Sequence, residues 1–165
     1  PLYGGAMSAE LPARFEDVSA VRHVPDAQEV WADASRDQSF ILEMLSMHDG
    51  VPEPAARFFW QDLVRANMAP GEEVDIRECA PLQPGAAPGL ADRASVMSYC
   101  VGTQKVGKYR DESALNVVEI WVAHVRLPRV ETDVLLSYNR PTYVHPESSA
   151  AGDVGSGHSQ DCPQE

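Results

Sequence analysis

The sequence predicts an α+β domain whose largely antiparallel sheet of about six strands is sandwiched by helices. The first observation is a pair of apolar runs between Ala114 and Pro141, joined by a short polar connection that contains a proline. The second is a series of shorter segments that alternate apolar and polar residues, as half-buried strands do. The third is the grouping of two helix-like segments after the second predicted strand, which is typical of α+β domains.

The two apolar runs predict a hairpin at the centre of the sheet. Residues Asn116 to Leu127 are apolar on both alternations in their first half, which indicates a strand covered on both faces there. Residues Thr132 to Asn139 are rich in β-branched and aromatic side chains and stop before Pro141, which cannot donate to a ladder. A connection of about four or five residues suits an antiparallel pair and is too short for a parallel crossover.

The remaining strands are predicted from shorter patterns. The chain begins as a short strand around Gly4 and Gly5, where missing side chains allow a bulge. Residues 16–22 are too short and mixed to be assigned beyond a turn of helix or a loop. Further strands are predicted at Gln28 to Ala32, Val74 to Leu82 and Ser95 to Thr103.

Two helices are predicted between these strands. Asp37 to Met47 carries Phe40, Ile41, Met44 and Leu45 at helical spacing, which places Glu43 on the solvent face. Asp37 or Ser39 would cap this helix. Glu53 to Ala66 is the second helix, with Pro54 in its first turn, although its central aromatic residues would also suit a strand.

The end of the chain predicts a domain boundary. From Thr142 onward the residues are mainly serine, glycine, alanine, proline and acids, with little apolar surface to bury. Residues 1–141 are therefore predicted to form the folded domain, and residues 142–165 a disordered, low-complexity acidic tail.

The charge of the chain excludes some classes of partner. The net charge is −12, and the body up to Pro141 keeps −8 when the four acids of the tail are set aside. No basic stripe is present, so nucleic-acid binding is not expected, and binding to anionic membrane surfaces is disfavoured. No apolar run reaches the roughly 18 residues of a membrane span. The acidity either serves solubility alone or meets a basic partner.

The three cysteines do not predict a disulfide framework. Cys79, Cys100 and Cys162 are widely spaced and odd in number, which fits a reducing compartment. Cys79 and Cys100 lie in predicted strands and are interpreted as small buried apolar groups.

No enzyme site is predicted from the residue types. The chain has no phosphate-binding glycine motif, its histidines have no metal spacing, and a triad drawn through His124 would lack a nucleophile elbow. A cluster of polar side chains between His23 and Glu43 is the remaining candidate site. Its alternative interpretation is an ordinary solvated acidic edge.

Four segments carry a resemblance to a known family. They are LYGGA at residues 2–6, VPDAQEVW at 24–31, DQSFILEML at 37–45 and TDVLLSYNRP at 132–141. In order and spacing they resemble the Mog1 family, which are Ran-binding proteins also called Ran guanine nucleotide release factors. The resemblance implies the Mog1/PsbP-like fold, a sheet sandwiched by helices. It also implies binding to the small GTPase Ran, release of its nucleotide in support of nuclear import, and a location in nucleus and cytoplasm.

The resemblance further implies a set of Ran-facing residues and no cofactor or metal. Carried onto this chain, that set is Asp26, Gln28, Glu29, Asp37 and Glu43. Family members place a second acid one helical turn after the position of Glu43, where this chain has Ser46, and continue into a C-terminal helix. Action would be by differential binding and not by enzyme catalysis. Two alternatives remain open within the same fold: a PsbP-like structural subunit of the photosynthetic oxygen-evolving complex, and a small-ligand-binding module.

Overall fold

An antiparallel sheet of eight strands forms the centre of the computed structural model, which describes residues 1–67, 74–90, 92–107 and 113–158. The strands are β1 (Glu16–Asp17), β2 (Gln28–Asp33), β3 (Gln38–Ser46), β4 (Val74–Pro81), β5 (Val96–Gly107), β6 (Leu115–Leu127), β7 (Thr132–Val144) and β8 (Gly157–His158). The helices are α1 (Ala55–Asn67) and the single turn α2 (Ala151–Val154). In these described residues no helix is long and apolar enough to cross a membrane.

The predicted hairpin is confirmed at the middle of the sheet. The strand order is β1-β2-β3-β7-β6-β5-β4, with β8 added to β7. β6 and β7 are joined by a 3₁₀ turn at Pro128–Val130, and Glu131 closes it in the left-handed conformation. The predicted strands at residues 28–32, 74–82 and 95–103 are also confirmed, and the predicted helix at 53–66 corresponds to α1.

The prediction of a helix over Asp37 to Met47 is wrong, because this segment is β3. β3 lies between β2 and β7 and is paired on both sides. Phe40 and Leu42 pack on one face of the sheet, whereas Leu45 packs on the other. A strand with apolar neighbours on both faces has a continuous apolar run, and its residues then also match a helical stripe. Asp37 is not a cap but lies in the β2–β3 turn with φ 51°.

The two faces of the sheet are covered differently. On one, here called the helix face, α1 buries Phe59, Trp60 and Val64 against β5 and β6. On the other, the N-terminal face, the cover comes from the first fifteen residues and the loop before β5. The N-terminal segment is not the predicted strand but a 3₁₀ turn at Tyr3–Gly5, closed by a bridge between Leu2 and Met7.

α1 approaches the sheet closely at Gly102 of β5. The indole of Trp60 donates from Nε1 to the carbonyl oxygen of Ile120, 3.0 Å away, and Ile120 lies opposite Gly102 in the sheet. A Cβ at Gly102 would stand 2.6 Å from Cζ2 of Trp60 and would also meet the carbonyl oxygen of Asp75. A side chain at this position is therefore excluded unless the helix or the edge strand moves.

Gly102→Ala is expected to lower the free energy of unfolding by about 1–3 kcal/mol, since overpacking forces the backbone to shift. Gly89→Ala is the matched control, because its Cβ would meet no atom within 4 Å. Chemical denaturation of both variants measures the effect. Equal stability of the two would show that α1 can slide away from β5 at little cost.

The chain past Pro141 packs against the sheet, so the prediction of disorder from Thr142 is wrong for residues 142–158. β7 continues to Val144, and Ala150 is fully buried. Asn116 holds this segment on the sheet with two hydrogen bonds. Its Oδ1 accepts from the backbone N–H of His145 at 2.9 Å, and its Nδ2 donates to Oγ of Ser148 at 3.0 Å. The rest of the predicted tail, residues 159–165, lies outside the described residues.

A cross-strand disulfide was not predicted from the sequence. Cys79 of β4 and Cys100 of β5 lie directly opposite each other and are joined, with Cα atoms 4.0 Å apart. Cys100 is fully buried beneath α1, as predicted, but it is not a free thiol. The odd count concealed the pair, because the third cysteine, Cys162, has no corresponding partner in the sequence.

Candidate partner-binding site

The structure brings four of the five predicted contact residues to one end of the β2–β3 hairpin. Asp26 is exposed in the turn before β2, and Gln28 and Glu29 are the first residues of β2. Glu43 of β3 lies directly opposite Gln28. Asp37 lies in the turn at the other end of the hairpin, so the predicted set does not form one patch.

Gln28 and Glu43 form a joined pair on the helix face. Nε2 of Gln28 donates to Oε1 of Glu43 at 2.8 Å, and Glu43 is half-buried. The expectation that Glu43 lies on the wet side of a helix is therefore wrong, although its carboxylate remains accessible. Ser46 is three residues further along a strand and so faces the opposite side of the sheet. An acid at position 46 would therefore not lie beside Glu43, as it would on a helix.

Glu29 points to the N-terminal face and is engaged by the start of the chain. Its Oε1 accepts from the backbone N–H of Tyr3. The hydroxyl of Tyr3 lies 2.8 Å from the carbonyl oxygen of Ala27 and 3.0 Å from that of Leu42. Burial, followed by the negative charges of Glu29 and Glu43, raises the pKa of Tyr3 to about 12. Glu29 therefore anchors the N-terminal segment, which is a structural role.

A groove of about 380 Å³ runs beside Glu43 on the helix face, between α1 and the strands β3 and β7. The apolar part of its lining is supplied by both α1 and the sheet. Phe58, Phe59 and Leu63 come from α1, and Leu45 and Leu135 come from the sheet; together they are called the floor of the groove. Glu43 and the exposed Asp62 of α1 supply carboxylates to its lining, and His48 lines it as well. Asp62 was not predicted from the sequence, because its place in the same lining as Glu43 depends on how α1 crosses the sheet.

A buried ion cluster holds one end of this groove in place. Asp133 is fully buried, and Nε and Nη2 of Arg126 donate to its two oxygens at 2.8 and 2.9 Å. Nε2 of His124 lies 2.8 Å from Oδ1 of Asp133, and the backbone N–H of His48 donates to Oδ2 at 2.9 Å. Arg126 also donates to the carbonyl oxygen of His48 at 2.7 Å.

The cluster keeps its carboxylate charged. Burial alone would raise the pKa of Asp133, but hydrogen bonds from Arg126, from the His48 backbone and from His124 outweigh it and lower the pKa to about 2. The loop after β3 is thus fixed at the groove by charge-assisted hydrogen bonds. No periodic pattern predicts this cluster, because its members come from three separate segments.

The arrangement is suited to binding a partner. The groove combines a preformed apolar floor with two carboxylates, and the whole chain is strongly acidic. Such a surface attracts and orients a basic partner. Among the residues that the structure describes, no three His, Cys, Asp or Glu side chains come together in a way that could hold a metal ion.

Comparisons with known proteins agree on one family. The family profile "Ran-interacting Mog1 protein" matches residues 1–141. The "Ran guanine nucleotide release factor" of Danio rerio is 34% identical, over 93% of this chain and 84% of its own length. That of Homo sapiens is 38% identical, over 86% and 74% respectively.

The solved structures agree as well. The crystal structure of the Saccharomyces cerevisiae Ran-binding protein Mog1p superimposes with a TM-score of 0.65 at 26% identity. The match covers 85% of this chain and 74% of that one.

Proposed function

The chain belongs to the Mog1 family, and we propose that it binds the small GTPase Ran and promotes release of its bound guanine nucleotide. Through this activity it supports nuclear protein import and works in both nucleus and cytoplasm. The proposal is supported by the names of its relatives, which are release factors and nuclear import proteins. The protein acts by binding, without a covalent intermediate or a cofactor of its own.

The observation that carries the proposal is the Gln28–Glu43 pair at the edge of the groove. Glu43 presents a carboxylate whose position is fixed by the 2.8 Å hydrogen bond from Gln28. Asp26, in the turn before β2, extends the acidic surface from the same end of the hairpin. We therefore assign Asp26, Gln28 and Glu43 to the contact with Ran, and we place Glu29 and Asp37 outside it.

A mechanism follows from the chemistry of GTPases. They hold nucleotide through a P-loop lysine and Mg²⁺, both of which are cations. A docked carboxylate competes for these cations or favours switch-loop conformations that do not hold nucleotide. The factor then stabilises nucleotide-free Ran more than nucleotide-bound Ran, and this differential affinity drives release.

The test is release of a fluorescent guanine nucleotide from Ran, with and without the protein. Glu43→Lys is expected to weaken binding to Ran by roughly 1–3 kcal/mol and to slow release, because it places a cation against a basic surface.

Association of the unmodified protein with Ran should also slow as salt rises from about 0.05 to 0.3 M, because salt screens the attraction between an acidic and a basic surface.

Glu147→Lys is the matched control, since it changes the total charge equally at an exposed position of the tail. It should leave release nearly unchanged. If both variants behave alike, net charge alone governs the interaction and the assigned contact is wrong. A protein that does not accelerate release from Ran at all refutes the proposed function.

A further inference from the structure

The lining of the groove has a specific chemical character. Among the residues that the structure describes, the ionisable side chains of the lining are Glu43, Asp62 and His48, and none of these described lining residues is a lysine or arginine. Resting on the proposed function, we propose that the groove receives the side chain of a lysine or arginine from the partner. The methylene stem lies on the apolar floor, and the cationic head lies at the carboxylates of Glu43 and Asp62.

The floor explains why a long basic side chain suits the site. Phe59 is buried and Phe58 and Leu63 are half-buried on α1, and Leu45 and Leu135 face them from the sheet. Lysine and arginine bury their hydrocarbon stems on apolar surface while their charged ends stay near water. The aromatic rings add attraction for a cation that approaches their faces.

Other occupants fit the groove less well. A purely apolar side chain would take water from Glu43 and Asp62 without giving them a partner, which carries a desolvation cost. A small inorganic cation would satisfy the carboxylates but would leave the apolar floor unused. A lysine or arginine uses both parts of the lining.

The groove is formed before any partner arrives. The imidazole of His48 packs against Phe58 with ring centroids 5.3 Å apart, and Phe58 meets Phe59 edge to face at 5.3 Å. The His48 backbone is held in turn by Asp133 and Arg126. Little ordering is therefore needed on binding, which favours affinity.

The first test uses small probes in place of Ran. NMR titration with n-pentylammonium should shift signals of His48, Leu63 and Leu135, whereas n-pentanol, which has the same stem without the charge, should bind several-fold more weakly. The double variant Glu43→Gln/Asp62→Asn should remove the preference for the cation. Equal binding of the two probes, or shifts confined to another surface, would overturn the proposal.

The second test fills the groove without changing charge. Ala66 lines the groove at the end of α1, and Ala66→Leu should weaken Ran binding by about tenfold, equal to about 1.4 kcal/mol. Asn67→Leu adds the same side chain at the next position, outside the lining, and should have little effect.

These tests separate the inference from the proposed function. If Ran binds and Ala66→Leu has no effect, the inference fails while the function stands. If the pentylammonium preference is found but Ran is not bound, the proposed function fails while the groove chemistry stands.

Discussion

Replacing Asp133 with alanine is expected to lower the free energy of unfolding by about 3–5 kcal/mol, because it leaves the half-buried guanidinium of Arg126 without its counter-charge and buried donors without their acceptor. Arg126 would lose both of its carboxylate contacts, and His124 would lose the partner of its Nε2. The backbone N–H of His48 would also lose its acceptor. The loop at the end of the groove should loosen as a result.

Urea unfolding followed by circular dichroism measures this loss. Asp133→Asn keeps an acceptor oxygen but removes the charge, so its destabilisation should be intermediate. An alanine variant as stable as the unmodified protein would show that water or a neighbouring group replaces the carboxylate at no cost.

The same carboxylate makes stability depend on pH in the acid range. The pKa of Asp133 is about 2 in the folded chain, below its ordinary value of 3.8. The unfolded state therefore takes up protons more readily, and the stabilisation is complete above about pH 4. As pH falls from about 4 to 2, about 2 kcal/mol should be lost from this group. Asp133→Asn should not show this part of the acid dependence.

Trp60→Ala is expected to cost about 3–5 kcal/mol, the range for deletion of a large aromatic side chain from a core. Trp60 is fully buried in the cluster beneath α1, and its ring covers Gly102, which has no side chain to fill the space left behind. Its hydrogen bond to Ile120 would also be lost.

Denaturation should be followed by circular dichroism, since the substitution removes a fluorophore. Trp60→Phe keeps an aromatic ring but not the indole N–H, so its free energy of unfolding should lie between those of the unmodified protein and Trp60→Ala. A small effect of the alanine variant would mean that α1 collapses onto β5.

The central strands were predictable because their residue patterns are compatible with only one arrangement, an antiparallel hairpin. β6 is apolar on both alternations and is followed within a few residues by a second β-branched run, which leaves an antiparallel hairpin as the simple solution. α1 was predictable because its apolar residues recur at helical spacing over more than two turns, and the buried residues are Ala55, Ala56, Phe59, Trp60 and Val64.

β3 was not predictable from periodicity. Its run of Phe40, Ile41 and Leu42 serves two covered faces, and the same residues fit a helical stripe. The decision between the two comes from pairing with β7, which lies far away in sequence. Residues 142–158 show a similar limit, because a few buried groups and the side chain of Asn116 hold them.

The candidate site was predictable only in part. The motif around Gln28 and the acid at Glu43 were identified from the resemblance, and the structure joins them by a hydrogen bond. The contact of Glu29 with the N-terminal segment depends on the direction of its side chain from β2. The place of Asp62 in the groove depends on how α1 packs on the sheet. Neither can be obtained from residue types alone. Whether these residues contact Ran stays a prediction.

The pairing of β3 with β7 has a consequence for how the chain is made. It joins Ser39 to Asn139, which are 100 residues apart, and it connects an N-terminal meander of β1–β3 to a C-terminal meander of β4–β7. During synthesis the N-terminal meander emerges first, and the edge of β3 that pairs with β7 stays unpaired until β7 leaves the ribosome. Closing so long a loop slows folding and leaves an open edge exposed to misassembly. Since the walls of the groove come from both meanders, a nascent chain acquires its binding surface only when this pairing closes.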